Sequence, residues 1–284
     1  MYSRAMTTPD PALLNRLETF YDALPRFTAR AEDFGGLVLF VREGAGWPFY
    51  ARPRLDGGDP PSAADIMAAR ERQRDLGLPE AFEWVHETTP DLLAVARSAG
   101  LAVLEAPLMV LDPAALPAQP AAGVRLLDPA SDAFAADLEL SRAVAQVGFG
   151  TPGTDRGAGG PAERDAVRVE ADPGSVEGER QAIREGRRFT AVAELADAGP
   201  VASGIGMRAG DVVEIAGVAT LPTFRRRGLG AALTLTLARH ALDSGAGLVF
   251  LSASDNDVAR VYLSVGFRRI ATACIAEPAA VPAL

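Results

Sequence analysis

Residues Asp211 to Leu221 alternate apolar and polar positions with a period near two, which predicts a strand that Pro222 ends. From Gly228 to about Ser244 the period becomes helical, with Leu229, Leu233, Leu237, Ala238 and Leu242 on one stripe and Gly245 to Gly247 closing it. Leu248 to Ala253 is nearly all apolar, as a strand covered on both faces should be. Asp255 to Val265 predicts a second helix, stopped at Gly266, with a last strand from Phe267. Before this region the pattern gives a strand at Val124 to Leu127, a helix at Ala130 to Val147 and a glycine-rich loop from Gly148 to Pro161, long enough for a lid or for disorder. A helix at Val176 to Glu185 and strands at Phe189 to Leu195 and Val201 to Arg208 complete the half.

The first half repeats the theme more faintly. Gly36 to Arg42 and Trp47 to Pro53 predict a hairpin around Gly44-Ala45-Gly46. A helix capped by Ser62 runs to Leu76-Gly77, Ala81 to His86 predicts a short strand, Pro90 to Ala99 a helix with Gly100 as its stop, and Ala102 to Leu111 a strand or bent pair. The end Val95-Ala96-Arg97-Ser98-Ala99-Gly100-Leu101 matches Val261-Tyr262-Leu263-Ser264-Val265-Gly266-Phe267, which suggests a weak internal duplication with Ala96 in the place of Tyr262. The competing explanation is two helices that happen to end in glycine. The Pro/Ala stretch PAALPAQPAA has no amphipathic period, so the expected organisation is a first domain at 1–112, a linker at 113–122 and a second domain at 123–284.

Composition narrows the class. Apolar residues make up 48% and charged residues 23% of the 284, without an apolar run long enough for a membrane span, so a soluble globular protein is expected. The N-terminus lacks the apolar core of a signal peptide, and the one cysteine, Cys274, allows no intrachain disulfide. A cytoplasmic location follows as the default, with no membrane partner. A net charge of −9 argues against non-specific nucleic-acid binding. Every one of the 28 basic residues is arginine, and three stand together at Arg225-Arg226-Arg227.

That cluster adjoins Gly228-Leu229-Gly230-Ala231 at a strand-to-helix turn. Glycines there leave no Cβ to hold a phosphate away from the backbone, and the N–H groups of a helix's first turn point outward as donors. Neighbouring guanidinium groups suit a phosphate-rich ligand. The third glycine of a dinucleotide fingerprint is missing and no P-loop lysine follows, so neither of those motifs fits. The competing reading is a solvated basic turn.

Arg225, Gly228 and Gly230 match R/Q-x-x-G-x-G/A, the hallmark of the GNAT superfamily of acyl-CoA-dependent N-acyltransferases, and the chain resembles that family over about residues 123 to 276. Asp255 to Phe267 is similar to its N-x-x-x-A-x-x-x-Y-x-x-x-G-F helix: Tyr262, Gly266 and Phe267 match, while Asp255 stands in for the asparagine. The resemblance implies an α/β fold with a mixed central sheet flanked by helices, preceded by a smaller, degenerate GNAT-like α/β domain. It implies acetyl-CoA as co-substrate, the backbone of Val218, Ala219 and Thr220 pairing with the pantetheine arm, and the segment Arg226, Arg227, Gly228, Leu229, Gly230 and Ala231 holding the pyrophosphate, with arginine side chains, Arg225 included, on the outer phosphates.

Acyl transfer from a thioester to an amine needs a neutral amine and a protonated leaving thiolate. Glu214, fourteen residues before Gly228 and inside an apolar run, is the candidate general base, expected to have a raised pKa; a solvent-facing carboxylate is the alternative. Tyr262 is the candidate general acid, against a core tyrosine whose hydroxyl bonds to backbone. His86 and His240 lack metal-ligand spacing, so no metal is expected, and His240 suits a helix end. Trp47 and Trp84 are expected to pack the first core, and Cys274 to be a buried small hydrophobe. Ser252 and Ser254 are candidates for the acceptor pocket, and Asp155, Glu163 and Asp165 would suit a cationic acceptor near the glycine-rich loop. The expectation is an N-acetyltransferase for a primary amine of a small molecule or protein, as a monomer or homodimer. The alternatives are a non-catalytic acyl-CoA-binding sensor or interaction protein and a transferase of longer acyl groups.

Overall fold

The computed structural model describes residues 10–44, 46–118, 123–151 and 153–279. Ala45 of the expected hairpin turn, Pro152 of the glycine-rich loop, residues 1–9 and 280–284 at the chain ends, and 119–122 of the expected linker lie outside them. The chain divides into two compact units, Met1–Leu108 with Ile270–Leu284, and Met109–Arg269.

The first unit opens with α1 (Pro11–Ala23), whose Asp10 cap accepts from the Ala12 N–H at 3.0 Å. Strands β1 (Ala29–Phe34), β2 (Leu37–Arg42) and β3 (Ala51–Pro53) form an antiparallel meander with Phe34 opposite Leu37 and Leu37 opposite Pro53. Helix α2 (Ala63–Asp75) crosses over to β4 (Phe82–Val85), which runs parallel to β3, and α3 (Leu92–Ser98) leads to β5 (Leu101–Leu111). Leu37, Leu39, Ile66, Trp84 and Ala96 belong to one buried cluster under α2 and α3. On the α1 side, the buried Arg52 guanidinium is ion-paired with Glu18. Its unpaired cost is why the carboxylate must accompany it. Neither α1 nor β1 was expected. β1, reading ARAEDF, has no apolar face and is held as an edge by the ladder to β2.

The second half of the chain repeats that order of elements. After β6 (Val124–Leu126) and helices α4 (Phe134–Phe149), α5 (Pro161–Val167) and α6 (Pro173–Arg184) come β7 (Arg188–Leu195), β8 (Gly199–Ala209) and β9 (Val212–Thr220), an antiparallel meander. Helix α7 (Leu229–Asp243) crosses to β10 (Leu248–Ser252), parallel to β9, and α8 (Asn256–Leu263) leads to β11 (Phe267–Pro278). The succession β1-β2-β3-α2-β4-α3-β5 is matched by β7-β8-β9-α7-β10-α8-β11. Gly100 and Gly266 end the last helix of each series with φ of 81° and 99°, a left-handed stop that favours glycine. The expected duplication therefore extends to topology. Each unit has a mixed sheet with helices packed on it, the expected fold class.

One division differs from expectation. Residues from Ile270 onward belong to the first unit, where Ala273, Cys274, Ile275 and Ala276 pair antiparallel with Val85, Trp84, Glu83 and Phe82. The β4 edge needs a partner for its backbone groups, and a strand distant in sequence supplies it. Cys274 is sealed there as expected, and burial pushes its thiol up to about 12. Trp84 is core, but Trp47 is 86% exposed, because it lies in the turn before β3 and not in the ladder. No helix among the described residues is long and apolar enough to cross a membrane.

Candidate active site

The site is built on β9. Val213 and Ile215 belong to the same apolar cluster as Leu233 and Leu237 of α7, each of the two leucines fully buried. Such a leucine contributes roughly 1.5–3 kcal/mol by burial, which fixes α7 against the strand. Glu214, between them, points to the other face and stands opposite Met207 of β8. At Gly217, φ is 62° and the register with β8 slips, from Ile205 opposite Ala216 to Ser203 opposite Ala219. The extra residue is a bulge that a left-handed glycine permits. It turns Val218 toward α7, where a Cβ on Gly204 would meet its side chain at 3.2 Å. A lone glycine inside a strand pattern is the sequence signal for such a bulge.

On its other edge β9 pairs with β10 from Val212 opposite Leu248 to Glu214 opposite Phe250. The described ladder ends there, although β9 continues to Thr220 and β10 to Ser252. Glu214 thus marks the point where two parallel strands part. Beyond it Ala219 and Thr220 stay paired with Ser203 and Ala202 of β8, Val218 lies in the bulge, and the second edge of this stretch has no described ladder to β10.

Past β9 the chain enters the arginine-glycine turn. Arg226 has φ 63° and Gly228 φ 76°, so two left-handed residues fall within three positions. A non-glycine residue in that region costs on the order of 1–3 kcal/mol and persists where the surroundings impose it. Residues so arranged turn backbone N–H groups inward as an anion nest. Gly228 caps α7 without any side-chain hydrogen bond, and the first intrahelical bond runs from the Ala232 N–H to the Gly228 carbonyl. A Cβ on Gly228 would meet nothing within 4 Å and one on Gly230 only Thr220 Oγ1 at 3.9 Å. The space over the helix start is open, and a side chain at 230 would fill it. The residues present therefore fit a bound pyrophosphate.

The arginines divide. Arg226 and Arg227 are exposed, Arg227 lying over the Phe224 ring at 4.9 Å. Arg225, expected on an outer phosphate, instead donates to the carbonyls of Gly148 and Thr151 at 2.7 Å each, Asp155 at 3.2 Å and Thr220 at 3.4 Å. Carbonyls that no secondary structure satisfies draw it inward, and burial lowers its pKa. The glycine-rich loop is consequently pinned. Gly157 N–H donates to the Pro222 carbonyl, Thr223 N–H to the Gly159 carbonyl, and Arg156 Nε to the Arg225 carbonyl, at 3.2, 3.0 and 3.2 Å. A Cβ on Gly148 would stand 2.9 Å from the Ala219 Cβ, so this glycine lets α4 press against β9. Neither Arg156 nor Gly148 carries a local motif that would have singled it out.

Tyr262 is 7% exposed and packs in the cluster that includes Ile215, Leu251, Ala253 and Phe267. Its ring centroid is 6.2 Å from that of Phe267. Burial pushes its hydroxyl up to about 12, so it keeps its proton at neutral pH. Asp255, in place of the asparagine, caps α8 by accepting from the Asp257 and Val258 N–H groups at 2.8 Å each. Ser254 leans on that cap, 3.3 Å from Asp255 Oδ2. His240 is half-buried, edge-on to Phe189 at 4.6 Å, and burial followed by Arg208 lowers its pKa, so it is a packing residue.

The acids proposed for a cationic acceptor are engaged locally. The Gly160 N–H donates to Glu163 at 2.7 Å and holds its carboxyl below the usual range; Arg164 does the same to Asp165. Asp155 offers its main-chain carbonyl to Arg225. Among the described residues no group of three or more His, Cys, Asp or Glu side chains is placed to hold a metal ion.

Comparison with known proteins agrees with this geometry. The fold resembles that of a GCN5-related N-acetyltransferase from Kribbella flavida, at 24% identity and a TM-score of 0.65 over 94% of this chain and 96% of the other. It also resembles a protein assigned to the GNAT family from Novosphingobium aromaticivorans, at 18% identity and a TM-score of 0.55 over 95% of this chain and 100% of the other. A GCN5-related N-acetyltransferase-like protein from Streptococcus suis gives 14% identity and a TM-score of 0.50 over 94% and 98%. Among curated proteins none matches the chain significantly. Residues 164–267, which hold the second meander, the arginine-glycine turn and α8, match the acetyltransferase (GNAT) family.

Proposed function

We propose that this protein is an acetyl-CoA-dependent N-acetyltransferase that moves an acetyl group to a primary amine of a small molecule or protein by direct attack. The observation that carries the reading is the parting of β9 from β10 directly after Glu214, beside a helix start that no side chain caps. Bound acetyl-CoA supplies a thioester carbonyl for the amine to attack and a sulfur to leave. The unpaired edge of Val218, Ala219 and Thr220 holds the pantetheine arm as an added strand would, and the N–H groups from Arg226 to Ala231 hold the pyrophosphate. Glu214, at the vertex, takes the proton from the incoming ammonium, directly or through water, so that nitrogen's lone pair is free. As the C–N bond forms and the C–S bond breaks, Tyr262 donates to the departing sulfur, and the second proton that the nitrogen sheds as the amide forms restores the tyrosine hydroxyl. Its raised pKa keeps the donor in place throughout the physiological range, and the sulfur ends as a thiol once that proton has passed.

Thiol release from acetyl-CoA in the presence of a panel of amines tests this. Glu214→Gln and Tyr262→Phe are each expected to lower kcat by about a hundredfold, the low end for a proton-transfer group, with acetyl-CoA affinity unchanged. Coenzyme binding without turnover on any amine would favour the acyl-CoA sensor instead.

A further inference from the structure

Many arginines in this chain face carboxylates, as Arg125 does with Asp137 and Glu194 and Arg168 with Glu139. Those around the start of α7 do not. Arg226 and Arg227 have no ion pair among the described residues, and a third cation joins them from the glycine-rich loop. Arg156 uses its Nε to donate to the main-chain carbonyl of Arg225, 3.2 Å away, at the residue preceding the left-handed Arg226. Its two Nη atoms have no partner among the described residues, and the side chain is exposed. Three guanidinium groups with no ion pair among the described residues, gathered in a chain of net charge −9, suit an anionic ligand.

We propose that Arg156 is a further ligand of the coenzyme's phosphates, carried to the site by the loop that Arg225 holds in place. The inference rests on the acetyl-CoA reading above and adds a residue to it. Arg225 is then a positioning residue. Its carbonyl contacts fasten Gly148, Thr151 and Asp155 to Thr220 at the end of β9, and the residue after Asp155 is Arg156. The carbonyl contact uses Nε and leaves the two Nη atoms, a two-donor fork matched to phosphate oxygens, for a ligand.

The test uses the full chain, with acetyl-CoA and its dephospho form, which lacks the 3′-phosphate, as probes of binding and turnover. Arg156→Gln is expected to raise the Kd and KM for acetyl-CoA about tenfold, with kcat at saturation unchanged, a weaker salt dependence of binding and an unaltered thermal midpoint. Arg156→Lys, which keeps the charge and loses the fork, should recover part of the affinity. If the wild type prefers acetyl-CoA over the dephospho form and Arg156→Gln loses that preference, the contact is with the 3′-phosphate. An equal loss on both probes assigns it to the pyrophosphate. Wild-type affinity for both probes in Arg156→Gln overturns the assignment and leaves the coenzyme reading standing; a wild type that binds neither probe overturns both.

Discussion

The two units reach the same point in their topology and treat it in opposite ways. In each, a meander of three antiparallel strands is followed by a helix that crosses to a parallel strand. The first of these helices, α2, closes its own start: Ser62 Oγ accepts from the Asp65 N–H at 3.2 Å, and the Asp65 carboxylate accepts from the N–H groups of Ser62 at 2.8 Å and Gly36 at 3.3 Å. Burial pushes that carboxyl up, but these bonds together hold it below its ordinary value. The second, α7, starts at a left-handed glycine with no cap and with exposed arginines beside it. A helix start attracts negative charge in either case. In α2 the chain supplies its own carboxylate; in α7 no side chain caps the start, and in the function proposed above the coenzyme's phosphates would take that place.

Moving a carboxylate into the open start should break the contrast. Gly230→Asp has room for its Cβ and places an acid in the first turn of α7. It is expected to raise stability by about 0.5–1 kcal/mol, from lost glycine flexibility and a favourable helix dipole. Acetyl-CoA affinity should fall at least a hundredfold, about 2.7 kcal/mol, as the phosphates lose their cradle and meet a like charge. Calorimetric binding and thermal unfolding of one variant read both signs.

The second contrast lies on the helices that follow. Ala96 of α3 is 1% exposed in the first core, four residues before Gly100; Tyr262 of α8 stands four before Gly266. Ala96→Tyr should cost about 1–3 kcal/mol by overpacking, measured by urea unfolding, because the first unit has sealed the position. A neutral result would mean that a cleft beside α3 survives.

The smallest effect concerns the cap itself. Asp65→Ala is expected to cost about 1 kcal/mol at neutral pH. Since the folded pKa is depressed, the contribution is present above the unfolded carboxyl value of about 3.9 and is lost as pH falls through the folded value. The variant's stability should therefore decline less than the wild type's on acidification through that window.

Much of this was legible one residue at a time. The stripe of α7, the apolar run of β10, the Ser62 cap and the glycine stops at 100 and 266 are local signals, and each element formed where they predict. The polar β1 gave no such signal, since its place is set by pairing with β2. Of the candidate site, the positions of Gly228, Gly230 and Tyr262 were fixed by motif spacing. The inward turn of Arg225 was not, because its partners Gly148, Thr151 and Asp155 lie seventy or more residues away along the chain.

The sequence by itself determined the two series of elements apart from β1, the open glycine turn and the charge around it, because helix periodicity, strand alternation and glycine's freedom at positive φ act over a few residues. Only the tertiary structure decided where β9 and β10 part, which arginines remain available to a phosphate, and that the last strand completes the first unit. Those outcomes depend on ladder register and on competition for unsatisfied backbone carbonyls, and both are settled between segments that the chain brings together only on folding.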